Sequence, residues 1–255
     1  VGVKDGYVER VDALLRQGTD VIVVDIAHGH SDLAINTVQG IKKRYPVVQI
    51  IAGNVATAAG CEALIKAGAD AIKVGVGPGA GCITRVIAGA GVPQLTAILD
   101  AVSVARYYGI PVIADGGIKN SADITKALAA GASTVMCGSM FAGTDESPGH
   151  IVLRHGRRYK EYRGSASAEA HHARREREIG KIIKEKIEYN PEGVAGYVAY
   201  KGSVVEVIGE FVNGLRSGMS YCGATTITEM QEHASFVRMT SSGIRESKPH
   251  DIEMK

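Results

Sequence analysis

Short β-branched runs alternate along the chain with longer stretches in which apolar residues recur every three to four positions. Val21–Asp25, Val48–Ala52, Ala71–Val76, Pro111–Ala114 and Ser133–Cys137 predict strands. Between them, Ser31–Tyr45 carries Leu33, Ile35, Val38 and Ile41 among charged residues and predicts a helix, as do Ala56–Ala67, Gln94–Tyr108 and Ser121–Ala130. Gly68, Gly109 and Gly131 follow three of these helices, where a left-handed C-cap is expected. The strand runs are apolar throughout rather than alternating, so the sheet they form is parallel and covered by helices, an α/β arrangement. Polar and glycine residues gather after the strands, at Asp25–His30, Gly53-Asn54, Gly75–Gly81, Asp115-Gly116-Gly117 and Gly138-Ser139. In a (β/α)8 TIM barrel that is the face that carries chemistry. Only about five or six βα units can be counted where a barrel needs eight. Val1-Gly2-Val3 reads as the tail of a strand, so the expectation is that the first barrel strands lie outside this chain.

After Ser139 the pattern changes. Arg154–Arg163 is basic, and Glu169–Glu188 is a charge-dense run that predicts a solvated helix or a lid over the site. Val204–Gly214 returns to an amphipathic helix, and the polar tail Ser241–Lys255 is expected to be extended. The C-terminal portion of the catalytic barrel is expected to occupy 1–255, with a flap at 165–190 and the extended tail at 241–255.

Composition narrows the class further. A chain of 255 residues that is 45% hydrophobic is enough for one α/β barrel or for one to two smaller domains. Lys+Arg 29 against Asp+Glu 27 leaves +2, too near balance for a dedicated nucleic-acid binder. The apolar runs are too short to span a bilayer, so no membrane partner is expected. Val1–Val11 does not show the charged-then-apolar pattern expected of a secretory start. Cys61, Cys82, Cys137 and Cys222 are scattered without a Cys-x-x-Cys pair, so neither a zinc knuckle nor a disulfide scaffold is indicated and a reducing, cytoplasmic setting is expected.

The sharpest chemical signal is the loop Gly75–Arg85. Gly75, Gly77, Gly79 and Gly81 force an irregular backbone with exposed N–H and C=O groups, and Cys82 ends it. A thiol presented there can attack an electron-poor carbon, whereas Cys61, Cys137 and Cys222 sit in helix, strand or turn contexts as small apolar residues. Asp115-Gly116-Gly117 and Gly138-Ser139, one βα unit apart, have the form of late-strand loops that cradle phosphate through backbone N–H groups. Asp115 can accept from ribose hydroxyls or cap the following helix. Asp25 with His28 and His30 lacks a completing ligand pattern for a metal and fits better as a polar floor for a cofactor. Lys73 lies on a strand, but Schiff-base chemistry there would leave the cysteine loop without a purpose.

Gly77–Thr84, Ala88–Gln94, Ala114–Ile118, Gly138-Ser139, Glu192–Val194 and Tyr200–Gly202 together resemble the IMP dehydrogenase/GMP reductase family over nearly the whole chain. The resemblance implies a (β/α)8 barrel acting on GMP or IMP, in which an inserted CBS (Bateman) module often precedes the segment where this chain begins. It implies Cys82 as the nucleophile that attacks purine C2, and Thr84 with Glu192 as a proton relay. Asp115, Gly116, Gly117, Gly138, Ser139, Tyr162, Gly164 and Ser165 would hold the substrate. Asp25, Ala27, Asn54, Gly75 and Gly77 would line the dinucleotide side. The carbonyls of Gly77, Gly79 and Cys82 match a K+ loop, completed by Glu246, Ser247 and Lys248 from the tail of a neighbour. A homotetramer or octamer is the implied assembly.

Three departures bear on which reaction is implied. Dehydrogenases of the family carry an Arg-Tyr pair on the flap to activate water. Here Ser167–Asn190 contains Arg174, Arg175 and Arg177 but no such dipeptide, Glu178-Ile179 occupies its place, and the only tyrosine is Tyr189. Ser165 stands where dehydrogenases usually carry methionine, and Gly164–Ser167 resembles some GMP reductases. Ala80 replaces a usual phosphate-binding serine. Against these, Arg216–Gly223 and Ser242–Asp251 resemble the dehydrogenase tail. The resemblance therefore implies an NADPH-dependent GMP reductase first, an NAD-dependent IMP dehydrogenase second, and a non-catalytic purine-nucleotide-binding barrel third.

Overall fold

The computed structural model describes residues 1–179 and 190–249. Helix α1 (Tyr7–Arg16) leads into β1 (Val21–Asp25), α2 (Asp32–Arg44), β2 (Gln49–Val55), α3 (Ala58–Lys66) and β3 (Ala71–Val74). The one-turn helix α4 (Thr84–Ile87) and α5 (Gln94–Ala105) precede β4 (Val112–Asp115), α6 (Ser121–Ala129), β5 (Thr134–Met136) and the short α7 (Ser139–Ala142). Then come β6 (Ile151–Arg154), β7 (Arg157–Arg163), α8 (Ala168–Ile179), β8 (Ala195–Ala199), α9 (Val204–Tyr221), α10 (Ile227–His233) and α11 (Ser241–Glu246).

Strands β1 to β5 form one sheet in chain order, every pair parallel. Consecutive parallel neighbours need a crossover, and α2, α3, α5 and α6 supply it on one face. The core sits between that face and the helices, where Ile22, Val24, Ile50, Ile72 and Val74 meet Val38, Leu64 and Ile98. Ser31, Thr57 and Asn120 cap α2, α3 and α6 with side-chain oxygens that accept from the first-turn N–H groups. The predicted helices after β1, β2 and β4 match to within a few residues. Residues 106–108 leave α5 as a tight turn before Gly109, so that helix is shorter than predicted. Among the described residues the sheet is open, with β1 and β5 at its edges, so five of a barrel's strands are present. Val1 runs beside β1, its carbonyl accepting from Asp25 N at 3.3 Å.

Three strands were not anticipated. β6, β7 and β8 make a separate antiparallel sheet, and Arg154–Arg163, read only as basic, forms most of its central hairpin. The hairpin turns at His155-Gly156, both with positive φ (47° and 74°), the twist a two-residue hairpin loop requires. Arg154 and Arg158 lie over the rings of Tyr197 and Tyr200 at 4.3 and 4.1 Å, which covers the aromatic faces on a mostly exposed sheet. The charge-dense run is a helix through Ile179; the flap residues 180–189 lie outside the described residues. The tail is a correction: Ser241–Glu246 is helical rather than extended, because Thr240 Oγ1 accepts from Gly243 N at 3.2 Å and starts a turn. Residues 250–255 lie outside the described residues.

Helix α9 runs two turns beyond the predicted Gly214 and packs on α6 through small residues. A Cβ on Gly218 would sit 2.4 Å from Thr125 Cγ2, whereas a Cβ on Gly209 of the same helix meets nothing within 4 Å. Gly218→Val is therefore expected to cost about 1–3 kcal/mol through forced separation of the two helices. Gly209→Ala should gain about 0.5–1 kcal/mol from helix propensity. Urea denaturation of the two variants should move the midpoint in opposite directions.

Candidate active site

Strand β3 ends at Val74 and the chain enters the glycine loop, which closes on itself where Cys82 N donates to Gly79 O at 3.0 Å. Two distant segments then lace the loop in place. Ile83 N donates to Glu192 O at 2.8 Å, Val194 N to Gly81 O at 2.9 Å, and Gly164 N to Val194 O at 3.0 Å. The approach is too close for side chains: a Cβ on Gly164 would lie 2.8 Å from Gly81 O, and one on Gly193 2.9 Å from the Ala166 carbonyl carbon. This lacing brings Glu192 to Thr84, 108 positions away in sequence. The Cys82 thiol donates to Thr84 Oγ1 at 3.2 Å, and the Thr84 hydroxyl donates to Glu192 Oε2 at 2.7 Å. A thiol, a hydroxyl and a carboxylate in series can carry a proton away from sulfur and return it, which is what activating and regenerating a nucleophile requires.

The other thiols differ physically. Cys61 is fully buried on α3, where its thiol donates to Ala101 O at 3.5 Å, and burial pushes it up to about 11. Burial also raises Cys137. The folded protein thus holds the Cys61 proton to about pH 11, whereas the unfolded chain releases it near 9.0. Between those values the folded state binds more protons, so stability falls as pH rises through the window. The expected loss is roughly 2–3 kcal/mol, read from urea denaturation at pH 8.5 and 11 (about two pK units at 1.4 kcal/mol each). Cys61→Ala should show a shallower decline by that amount.

The strand ends build a charged centre beside the loop. Lys73 on β3, its side chain 6% exposed, forms ion pairs with Asp25 Oδ1 at 3.1 Å and with Asp115 Oδ2. Asn54 Nδ2 donates to the same Asp115 oxygen at 3.0 Å and to Gly75 O at 2.8 Å. A register shift between Gly53 and Val55 in the β2–β3 ladder accompanies this placement of Asn54. The segment after β1 is stitched to β2 by Ile26 N to Gly53 O (3.0 Å) and Gly29 N to Asn54 O (2.7 Å), which sets Asp25 and Ala27 at an exposed mouth.

On the other side, Gly116 and Gly117 turn beneath Pro78, and Gly116 N donates to Met136 O at 3.2 Å. Tyr162 on β7 lies between the cysteine loop and the Gly138 turn: its Cε1 is 3.2 Å from a Cβ placed on Gly81, and its hydroxyl 3.6 Å from one placed on Gly138. Ser139 opens α7, and the carbonyl of exposed Ser165 accepts from Arg174 on α8 at 3.3 Å. Gly77 packs against the Arg85 side chain, which donates to Val76 O and Val92 O. Glu246, Ser247 and Lys248 are exposed, and no hydrogen bond joins them to Gly77, Gly79 or Cys82 within the chain. Among the described residues no cluster of His, Cys, Asp and Glu could hold a metal ion, and His28 and His30 are exposed. Among them, too, no helix is long and apolar enough to cross a membrane.

Two residues escaped the sequence reading. Gln94 Nε2 donates to Val74 O (2.9 Å) and Asp115 O (3.1 Å), fastening the ends of β3 and β4. Lys73 was set aside as a reactive amine. A lysine in the middle of the buried run Ala71–Val74 was itself the signal, because a charge there demands partners.

The family model for the IMP dehydrogenase / GMP reductase domain matches residues 1–250. The chain is 55% identical to the inosine-5'-monophosphate dehydrogenase of Nitrosopumilus maritimus (strain SCM1), over 99% of this chain and 53% of that protein. It is 51% identical to the GMP reductase of Leishmania donovani, over 99% of this chain and 52% of that protein. A crystal structure of a cysteine-to-alanine variant of the Trypanosoma brucei GMP reductase, in complex with guanosine 5'-monophosphate, superposes with a TM-score of 0.92 at 52% identity. That match covers 99% of this chain and 52% of the other. The chain spans about half the length of the relatives it matches. With a family model along nearly its whole length and a matching fold at this identity, the chain belongs to the IMP dehydrogenase / GMP reductase family.

Proposed function

We propose that this chain carries the catalytic part of a GMP reductase, which converts GMP to IMP and ammonia with NADPH. The observation that supports it most is the Cys82–Thr84–Glu192 series of hydrogen bonds, standing beside a flap sequence without the Arg-Tyr pair. Cys82 sulfur bonds to purine C2 while its proton passes through Thr84 to Glu192. The same pair returns a proton to the amino group on C2, which leaves as ammonia and gives a thioimidate on Cys82. Asp25, Ala27, Asn54, Gly75 and Gly77 would hold a nicotinamide dinucleotide, which would supply the hydride that C2 accepts. The C2–S bond then breaks, and the thiolate is restored as IMP departs.

The residues present suit both ligands. Asp115, Gly116, Gly117, Gly138, Ser139, Tyr162, Gly164 and Ser165 take ribose and phosphate, and Ala80 leaves one phosphate contact to the backbone. Asp25, Ala27, Asn54, Gly75 and Gly77 take the nicotinamide side. Asn54 Oδ1 is buried and accepts no hydrogen bond among the described residues, so it can receive an amide donor such as a carboxamide. The carbonyls of Gly77, Gly79 and Cys82 would hold K+, with Glu246, Ser247 and Lys248 contributed by another copy in a homotetramer or octamer. The tail's exposure, and its lack of bonds to its own loop, are in keeping with that arrangement.

A second reading, NAD-dependent oxidation of IMP to XMP, is favoured by the dehydrogenase-like segments Arg216–Gly223 and Ser242–Asp251 and by relatives named as dehydrogenases. The test incubates the protein with GMP and NADPH and, separately, with IMP and NAD, following the near-ultraviolet absorbance of the reduced dinucleotide. Loss of absorbance in the first mixture with little gain in the second is expected. Faster gain in the second would replace the reductase with the dehydrogenase.

A further inference from the structure

We propose that Lys73 is a positioning residue that locks the cofactor-side carboxylate Asp25 and the substrate-side carboxylate Asp115 into one unit, so that the two ligand subsites are energetically coupled through a single ammonium. The proposal rests on the assignment of Asp115 to the substrate and Asp25 to the cofactor made above.

The sheet itself builds the link. Asp25, Gly53 and Lys73 occupy one register row across β1, β2 and β3. The central position of that row must be small: a Cβ on Gly53 would stand 2.7 Å from Lys73 Cβ and 2.6 Å from Lys73 O. With glycine there, the lysine stem crosses β2 and places its Nζ 3.1 Å from Asp25 Oδ1. The same Nζ pairs with Asp115 Oδ2 on the adjacent strand β4. One ammonium therefore serves two carboxylates that come from strands on opposite sides of it. Lys73 is 4% exposed, so water does not screen the pairs as it would at a surface. Two negative charges share one positive charge, so whatever draws Asp25 changes how tightly the ammonium holds Asp115. Asn54 adds a neutral tie, donating to Asp115 at 3.0 Å and to Gly75 O at 2.8 Å. Asp25 itself is half exposed at 53% and has a free side toward the mouth, whereas the Asp115 side chain is 23% exposed. A ligand that engages Asp25 thus has a short covalent and ionic path to the carboxylate facing the other ligand. Coupling of this kind is reciprocal.

The test is a double-mutant cycle on the full 255-residue chain, reading GMP affinity by calorimetry without dinucleotide. Asp25→Asn, on the far side from the substrate, is expected to weaken GMP binding about threefold, because the freed ammonium closes on Asp115. Lys73→Met is expected to weaken it about tenfold or more, because Asp115 loses its charged partner. Asp25→Asn added to Lys73→Met should have no further effect, since the link is already gone. A lysine that merely supported the fold would not make one substitution silence the other. GMP affinity unmoved by Asp25→Asn, or moved equally in both backgrounds, overturns the proposal. Should Lys73→Met fail to fold, the Asp25→Asn measurement decides alone, because that half-exposed side chain is not part of the core. Wild-type protein that binds neither GMP nor IMP overturns the substrate reading and this proposal with it. Wild-type protein that binds GMP while Asp25→Asn is silent overturns the Lys73 link and leaves the substrate reading standing.

Discussion

Cys82→Ala is expected to lower turnover by about 10³-fold or more while GMP still binds nearly as well as to the wild type. The thiol is the only group in the glycine loop able to form a bond to purine C2. Its removal leaves no substitute, since Thr84 Oγ1 is already committed to Glu192 at 2.7 Å. The loop should keep its shape, because backbone bonds from Ile83, Val194 and Gly164 fix it rather than the sulfur. Steady-state turnover and calorimetric GMP binding, measured on one preparation, separate chemistry from affinity. A variant that keeps a tenth of wild-type activity would remove the covalent route. Mass spectrometry of acid-quenched wild type should also find a purine adduct on Cys82 that the variant lacks.

Glu192→Gln is expected to lower GMP turnover about 10²–10⁴-fold, the usual contribution of a general acid–base group. Glutamine keeps the size of the side chain, and Glu192 still receives the Ile83 N–H through its own carbonyl at 2.8 Å. What the variant loses is the carboxylate that accepts from Thr84, hence, in the proposed mechanism, the place where the Cys82 proton rests and from which departing ammonia is protonated. The companion change, Glu178-Ile179→Arg-Tyr, supplies the pair that activates water in dehydrogenases of the family. It should raise XMP formation from IMP and NAD, because the thioimidate proposed on Cys82 would be common to both reactions and its fate would depend on what attacks C2. Wild-type protein that already forms XMP faster than it consumes GMP and NADPH would show that the flap sequence was misread and that the tail was the better guide.

Much of the site was legible because its signals are local. Gly75–Cys82 announces itself through glycine spacing, and Asp115-Gly116-Gly117 and Gly138-Ser139 through their place after strands. The partnership of Thr84 with Glu192 was reached only through family resemblance, since nothing in a sequence separation of 108 residues indicates a 2.7 Å hydrogen bond. The antiparallel sheet was missed for a different reason. β7 (Arg157–Arg163) consists only of charged residues and two tyrosines, and its one fully buried side chain is Lys160, so it lacks the apolar run that marked β1 to β5. The one available sign was the His155-Gly156 turn between two short runs. The helical tail was missed because Ser241–Lys255 is polar and has no apolar period, whereas its helix is started by Thr240 just before it, as the N-cap of α11.

The sequence by itself determined the βα alternation, the helix caps and the face on which glycine and polar residues gather. Each of these depends on periods and neighbours within one turn or one strand, where side-chain size and backbone propensity act directly. Only the tertiary structure decided that Lys73 lies between Asp25 and Asp115, that Tyr162 stands between Gly81 and Gly138, and that Gly164 and Gly193 must be bare for the cysteine loop to be laced down. Those relations are distances between segments far apart in the chain. They are set by strand order, register and the room left where backbones cross, and no local pattern encodes them.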